Sequence, residues 1–147
     1  MKCKGLAHLL LPLPQSNNLH WKLLQLPAST IADRYEDAIE AARPDVLFYF
    51  SYPELDPVID KTPYKEQVAE IRKIKAQGRS KEALTLMSDK MVEDLTVSGT
   101  PKECRDKIKK LADYGVTLPI IRVSVQPFEE SKRREVFVRA INTMTDR

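Results

Sequence analysis

The stretch that decides the fold covers residues 88–125 and reads SDKMVEDLTVSGTPKECRDKIKKLADYGVTLPIIRVSV. Within it, residues 95–98 predict a short strand, which Gly99 ends. Residues 100–103, Thr-Pro-Lys-Glu, then form a capping box with proline at the first helical position. Residues 118–125 are an apolar run typical of a strand that is covered on both faces. The stretch therefore predicts strand, helix and strand in succession.

A final amphipathic helix is predicted over residues 128–145, so the C-terminal part reads as a βαβα unit with a right-handed crossover. Gly115 is the predicted stop of the helix that the capping box begins, and Pro119 must lie near the start of the second strand. The apolar residues predicted to face inward on the two helices are Cys104, Ile108, Leu111, Ala112, Val136, Phe137, Ala140, Ile141 and Met144.

The upstream region is predicted to be mostly helical. Residues 31–50 carry apolar side chains at helical spacing, with a kink expected at Pro44, although the aromatics of 46–50 would also suit a strand. A loop follows, and Thr62-Pro63 is predicted to begin a helix that ends at Gly78. Two short helices should come next, capped by Ser80 and Ser88. One βαβα unit cannot cover both faces of a parallel sheet, and it needs neighbouring strands. The chain therefore looks like part of a larger α/β architecture.

Length and composition exclude several classes of function and of binding site. The chain has 147 residues, one domain's worth, with 24 basic and 21 acidic side chains and a net charge of +3. Its four glycines cannot form a dinucleotide-binding loop or a P-loop. Its two histidines and two cysteines form neither H-E-x-x-H nor C-x-x-C, so no structural zinc site is expected. No stretch is long enough to span a membrane, and no signal peptide is expected. The two distant cysteines favour a reducing compartment, the cytoplasm.

Residues 1–30 differ from the rest. They contain three prolines, both histidines and the single tryptophan, and their apolar residues follow neither a helical nor a strand period. We expect an irregular N-terminal arm over 1–30, followed by one domain over 31–147.

Residues 88–125 resemble the C-terminal end of luciferase-like oxidoreductases, where S-D-x-M-V-x-x-x-x-V-x-G-T-P-x-E-x-R-x-x-I precedes the last βα units of a TIM barrel. Residues 37–57, DAIEAARPDVLFYFSYPELDP, and the helix that ends at Gly78 resemble the segment after the sixth strand of that family. The resemblance covers about residues 31–145. It is strongest to the archaeal branch that uses the deazaflavin coenzyme F-420, the methylenetetrahydromethanopterin reductase branch.

The resemblance implies an incomplete (β/α)8 barrel: the last two βα units, preceded by a mostly helical segment. A complete barrel needs roughly 250 residues, and residues 1–30 match nothing expected there. A truncated or frame-shifted gene would account for the break near residue 30. The implied function is the C-terminal portion of an oxidoreductase that transfers hydride with coenzyme F-420 or FMN, inactive alone. The alternative is a non-catalytic interaction or assembly module derived from a barrel.

The resemblance also implies where the coenzyme binds. Gly99 and Thr100 follow a strand and open a helix whose N–H groups suit an anion, so they are candidates for contact with the phosphate or ring edge of the coenzyme. The alternative is that Thr100 only caps its helix. Ser124 and Gln126, at the end of the last strand, could face the same end of the barrel as Gly99 and Thr100. No catalytic residue and no metal ligand is predicted.

The remaining reactive or charged residues are predicted to have structural rather than catalytic roles. Cys104 is expected to be a core thiol, and His8 and His20 lack a partner acid or base. Arg122 either pairs with a carboxylate across the barrel or faces solvent. Acids interleave with the basic cluster of residues 102–110 and 132–134, so no nucleic-acid partner is expected. Unpaired strand edges predict self-association or pairing with a complementary barrel half.

Overall fold

The computed structural model describes residues 23–113, 116, 118–125 and 127–145, with side chains described from Ser29 onward except that of Leu118. Two strands are formed by β1 (Leu23–Ser29) and β2 (Leu118–Val123). The helices are α1 (Tyr35–Tyr49), α2 (Asp56–Ile59), α3 (Lys65–Ala76), α4 (Ser80–Thr85), α5 (Asp89–Leu95), α6 (Pro101–Asp113) and α7 (Glu130–Met144), with a 3-10 turn at Pro53–Leu55. The predictions for Cys3, His8, His20, Gly115 and Gln126 lie outside the described residues.

The prediction of an irregular arm over residues 1–30 is wrong for residues 23–29, which form the regular strand β1. Strand β1 pairs in parallel with β2, and the register shifts between Leu26 and Ser29. Pro27, which argues against a strand, lies within this shift, where the regular ladder is interrupted. A strand whose neighbours are distant in sequence carries little local signal, which is why periodicity missed it.

The predicted strand over 95–98 is not formed. Leu95 closes α5, and only Gly99 makes a parallel bridge, to Ile31. The carbonyl of Val97 instead accepts from the Cys104 thiol, at 3.3 Å, so a side chain of α6 takes the place of a strand neighbour. The prediction of β2 is confirmed, although the strand ends at Val123 rather than at 125.

Strand β1 lies between the other two segments of the sheet. The Ser124 amide donates to the Ser29 carbonyl at 2.9 Å, and the Gly99 amide donates to the Thr30 carbonyl at 3.1 Å. Successive residues of a strand direct their backbone groups to opposite edges, so the Gly99 segment and β2 flank β1 on opposite sides. In the described residues, β1 therefore separates the segment before Gly99 from β2.

The helical segment packs around its own core. Helix α1 continues past Pro44 to Tyr49, which confirms the helical prediction for 46–50. Ile39, Ile71 and Met91 from three different helices are fully buried in this core. Arg43 links α1 to the start of α5 by hydrogen bonds to the Met87 carbonyl and to Asp89.

Two of the predicted helix starts shift by a few residues. Helix α3 begins at Lys65, and the Thr62 hydroxyl accepts from the Tyr64 amide, at 3.2 Å, in the preceding turn. Ser80 is the first residue of α4 rather than its cap. Ser88 does cap α5 as predicted, because its hydroxyl accepts from the Met91 amide at 3.1 Å.

A second core lies between the sheet and α6 and α7. Ile31, Val97, Cys104, Leu111 and Ala140 are buried in it. The predicted stripe of α6 is confirmed for Cys104, Ile108 and Leu111, whereas Ala112 is exposed. Helix α7 matches its prediction less well, since Phe137 and Ile141 are 48% and 43% exposed instead of buried. The described residues provide no element that covers this side of α7.

Candidate functional site

The carboxyl ends of the parallel segments meet at one edge of the sheet. Gly99 and Ser124 lie on opposite sides of β1 at this edge, tied to it by the backbone bonds to Thr30 and Ser29. The two sequence-predicted positions are therefore brought to the same end of the sheet, where α/β proteins bind ligands. Their role in coenzyme binding stays a prediction.

Three hydroxyl side chains stand side by side at this edge. Val123 is level with Ser29, and Gly99 is level with Ile31. Ser98, Thr30 and Ser124 are therefore neighbouring positions on three adjacent segments. The Ser98 hydroxyl accepts from the Thr30 amide at 3.1 Å. We call Ser98, Thr30 and Ser124 the hydroxyl row.

Two hydroxyls of this row have no hydrogen-bond partner. The oxygens of Thr30 and Ser124 are buried and unpaired, and so is that of Ser29 on the opposite face. Leaving a buried hydroxyl unpaired costs on the order of 1–3 kcal/mol. Buried polar groups are almost always paired in folded proteins, so each of these hydroxyls calls for a partner such as an ordered water or a ligand.

The start of α6 is a complete capping box. The Glu103 carboxylate accepts from the Thr100 amide and from the Thr100 hydroxyl, each at 2.8 Å. The Thr100 hydroxyl in turn lies 3.4 Å from the Glu103 amide. The predicted capping role of Thr100 is confirmed, and both polar groups of Thr100 that an anion could use are already engaged.

Glycine is required at position 99. Its φ is +148°, which side chains rarely adopt, and a Cβ would lie 2.9 Å from the Glu103 carboxylate oxygen. The close approach of Glu103 to the Gly99 backbone is what allows the capping carboxylate to cover this end of the helix.

Sequence reasoning missed Lys107 as part of this site. Its ammonium donates to the Ser98 carbonyl at 2.8 Å and to the Glu93 carbonyl at 3.3 Å. Burial lowers the pKa of the Lys107 ammonium, and nearby carboxylates only partly offset that effect. Position 107 is three residues after Cys104 and four before Leu111, so helical spacing alone could have assigned it to the buried stripe.

Cys104 is the predicted core thiol. It is fully buried, and burial raises its pKa to about 11, which makes the thiolate inaccessible near neutral pH.

Two tyrosines contact the acidic end of α5. The Tyr64 hydroxyl donates to Asp94 at 2.7 Å, and the Tyr35 hydroxyl lies 3.4 Å from Glu93. Burial, reinforced by the carboxylates, raises the pKa of Tyr35 to about 12 and raises that of Tyr64 further. These phenols act as neutral donors that tie α1 and α3 to α5.

Arg122 resolves one open alternative. Its guanidinium lies 3.5 Å from the Asp45 carboxylate and 5.1 Å from the centre of the Tyr49 ring, so it pairs with α1. The carboxylate partner belongs to a neighbouring helix rather than to a residue across a barrel. Among the described residues, no group of three or more His, Cys, Asp or Glu side chains could hold a metal ion.

No helix within the described part of the chain is both long and apolar enough to cross a membrane.

The chain resembles known proteins over most of its length. The family model of the luciferase-like monooxygenases matches residues 25–118. Among solved structures, the coenzyme F-420-dependent tetrahydromethanopterin reductase from Methanopyrus kandleri matches with a TM-score of 0.58 and 24% identity. No curated protein matches the chain significantly.

The structural match covers 76% of this chain but only 31% of the reductase chain. At that identity it shows a shared fold: the described elements correspond to part of that larger protein. The family match spans well over half of the chain and begins within β1, so the resemblance starts a few residues earlier than the sequence analysis placed it. The chain belongs to the luciferase-like monooxygenase family.

Proposed function

We propose that this chain is the C-terminal portion of a luciferase-like oxidoreductase and helps to bind coenzyme F-420 or FMN. Gly99, Thr100 and Ser124 are the proposed contacts, and we add Thr30 because its buried hydroxyl has no partner. When bound, the coenzyme supplies the hydride chemistry, and the chain contributes binding and orientation. We expect the 147-residue chain by itself to be inactive.

The observation that carries this proposal is the pair of unpaired hydroxyls at the carboxyl edge of the sheet. The Thr30 and Ser124 hydroxyls are buried and without partners; the Thr30 carbonyl accepts from the Gly99 amide, and Ser124 lies on the other side of β1. A ligand with hydrogen-bonding groups would satisfy them, so the residues present fit a flavin or deazaflavin. A free buried thiol at Cys104 fits a reducing compartment, and we propose the cytoplasm.

A fluorescence titration with coenzyme F-420 and with FMN tests the proposal. We expect saturable binding of one of them tighter than ~100 µM, which corresponds to roughly −5.5 kcal/mol. Ser124→Ala should weaken that binding, while Ser131→Ala, the same change on the exposed start of α7, should not. Failure of both coenzymes to saturate would refute the proposed function.

A second candidate function, an interaction or assembly module, has its own support. Ile120 on β2 and Phe137 and Ile141 on α7 expose much of their apolar surface. Such residues favour either self-association or pairing with a complementary barrel half that supplies further strands. Retention of the fold without coenzyme binding would favour this candidate.

A further inference from the structure

An open groove runs between α6 and α7, and none of the proposed coenzyme contacts lines it. Its volume is about 620 Å³, within the range of ligand sites. Residues 131–142 of α7 form one wall, roughly 16 Å long at the helical rise of about 1.5 Å per residue. Arg105 of α6 lies in the facing wall, and Ser131 and Asn142 place neutral hydrogen-bonding groups at the two ends. We call this site the α7 groove.

Arginine side chains dominate the charged part of the α7 groove. Arg105, Arg134 and Arg139 line it, and Glu135 is the one carboxylate of the lining within the described residues. Arg105 has a partner of its own, and Arg139 donates to Asp33 through one nitrogen only. Arg134 is exposed and has no hydrogen-bond or ion-pair partner in the described part of the chain. The groove therefore presents guanidinium donors, which bind carboxylates through paired hydrogen bonds.

An exposed apolar stripe adjoins these arginines on α7. Val138 lies in the lining of the groove, and Phe137 and Ile141 are exposed beside it. Counted from Arg134, these apolar residues lie three, four and seven positions along the helix, so all four side chains share one face. That spacing is the one through which a helix surface contacts the apolar anchors of a bound peptide. The groove and the stripe therefore form one continuous surface of mixed character.

We infer that the α7 groove docks an acidic peptide segment of a partner protein, with carboxylates on the arginines and apolar side chains on the stripe. The charge of the lining and the apolar residues beside it match the two kinds of side chain in such a segment. A free inorganic anion would use the arginines alone, and a purely apolar partner would leave them unpaired. The inference does not depend on coenzyme binding. A second copy of this chain on the same stripe would compete with the peptide.

A labelled peptide of the inferred chemistry tests the site. A fluorescein-labelled peptide of about 12 residues, with glutamate and leucine at helical spacing, is titrated with the whole chain while its anisotropy is followed. We expect a dissociation constant tighter than ~100 µM. The same peptide with glutamine in place of every glutamate should bind more than about tenfold more weakly, and added salt should weaken the binding of the acidic peptide.

Charge variants of the chain locate the binding. Arg134→Glu should weaken binding of the acidic peptide by about tenfold, because it sets a like charge against the peptide carboxylates. Arg134→Lys keeps the charge without the planar fork and should fall between the two. Lys73→Glu makes the same change of net charge on the exposed side of α3 and should bind like the wild type. Since Arg134 has no described partner to lose, the urea midpoint of Arg134→Glu should match that of the wild type.

Several results would overturn the inference. Equal weakening by Arg134→Glu and Lys73→Glu would show that only the overall charge of the chain matters. Binding of hexaglutamate as tightly as the leucine-bearing peptide would show that the apolar stripe takes no part and that the groove holds an anion alone. Absence of peptide binding would also refute it, and a dimer that Phe137→Lys dissociates would then identify a second copy as the occupant. The coenzyme titration is unaffected by these results and tests the proposed function separately.

Discussion

Single residues determine the shape of the carboxyl edge of the sheet. Gly99 marks the end of a segment that sequence patterns predicted as a strand, and the structure explains the glycine through its φ of +148° and the adjacent Glu103 carboxylate. The sequence showed a break at this position. It could not show that a side chain from the next helical turn would fill the space.

The close approach at Gly99 predicts a graded effect of alanine. Gly99→Ala should lower the free energy of unfolding on the order of 2–3 kcal/mol, because backbone strain adds to a clash with Glu103. Gly78→Ala is the matched control: it has a φ of +79° but open space around a new Cβ, and should cost on the order of 1 kcal/mol. Urea unfolding of both variants measures the difference, and equal losses would contradict the packing argument.

The buried thiol of Cys104 should make the folded chain less stable as the pH rises into the alkaline range. Burial raises its pKa to about 11 in the folded chain, whereas an unfolded thiol titrates near about 8.5. Between these values the unfolded chain releases the proton first, so the free energy of unfolding falls as the pH rises. Cys104→Ala should lack this contribution, while Tyr35 titrates alike in both proteins. Urea unfolding curves whose difference stays constant from pH 8 to 11 would exclude the effect.

At the scale of elements, the helices and β2 were predictable from the sequence, whereas β1 was not. The box at residues 100–103, the Ser88 cap and the Gly78 stop are local signals, and each lies where the structure uses it. Strand β1 pairs with β2, nearly 100 residues away in the chain, so no local sequence pattern near Leu23–Ser29 predicts the strand. The apolar stripe of α6 was predicted, but Lys107 was grouped with the surface cations because its charge outweighed its position in the helical repeat.

The cap of α6 gives a prediction at this scale. Thr100→Ala should lower the free energy of unfolding by about 1 kcal/mol, because it removes the hydroxyl of the capping box. Thr100→Ser keeps that hydroxyl and should be near wild type, as thermal unfolding can check. If Thr100→Ala binds the coenzyme as tightly as the wild type, Thr100 acts as a cap alone and its proposed coenzyme contact is wrong.

On the scale of the whole molecule, the exposed apolar side of α7 is the feature that the sequence misjudged. Phe137 and Ile141 follow the helical repeat and were expected to be buried, yet each is nearly half exposed. Periodicity identifies an apolar face without identifying what covers it. In the described residues the sheet and α6 reach only the side of α7 that carries Ala140 and Thr143.

This exposed face predicts association in solution. At about 100 µM, light scattering after size-exclusion chromatography should detect species larger than the monomer, since apolar patches and strand edges favour association. The double variant Phe137→Lys, Ile141→Lys should shift the protein towards the monomer. Phe48→Lys changes a similarly exposed aromatic on α1 and serves as the control. A stable monomer of the wild type at this concentration would contradict self-association.

The sequence by itself determined the helices, the caps of α5 and α6, the buried thiol and the family resemblance, because these depend on residues within a few turns of one another. The tertiary structure alone decided that β1 lies between Gly99 and β2 and that Thr30 joins Ser98 and Ser124 in one row. It also decided that the half-buried Lys107 ammonium donates to the Ser98 carbonyl. Strand order and register join segments distant in the chain, and the energy that selects them comes from burial and hydrogen bonds that form only on folding.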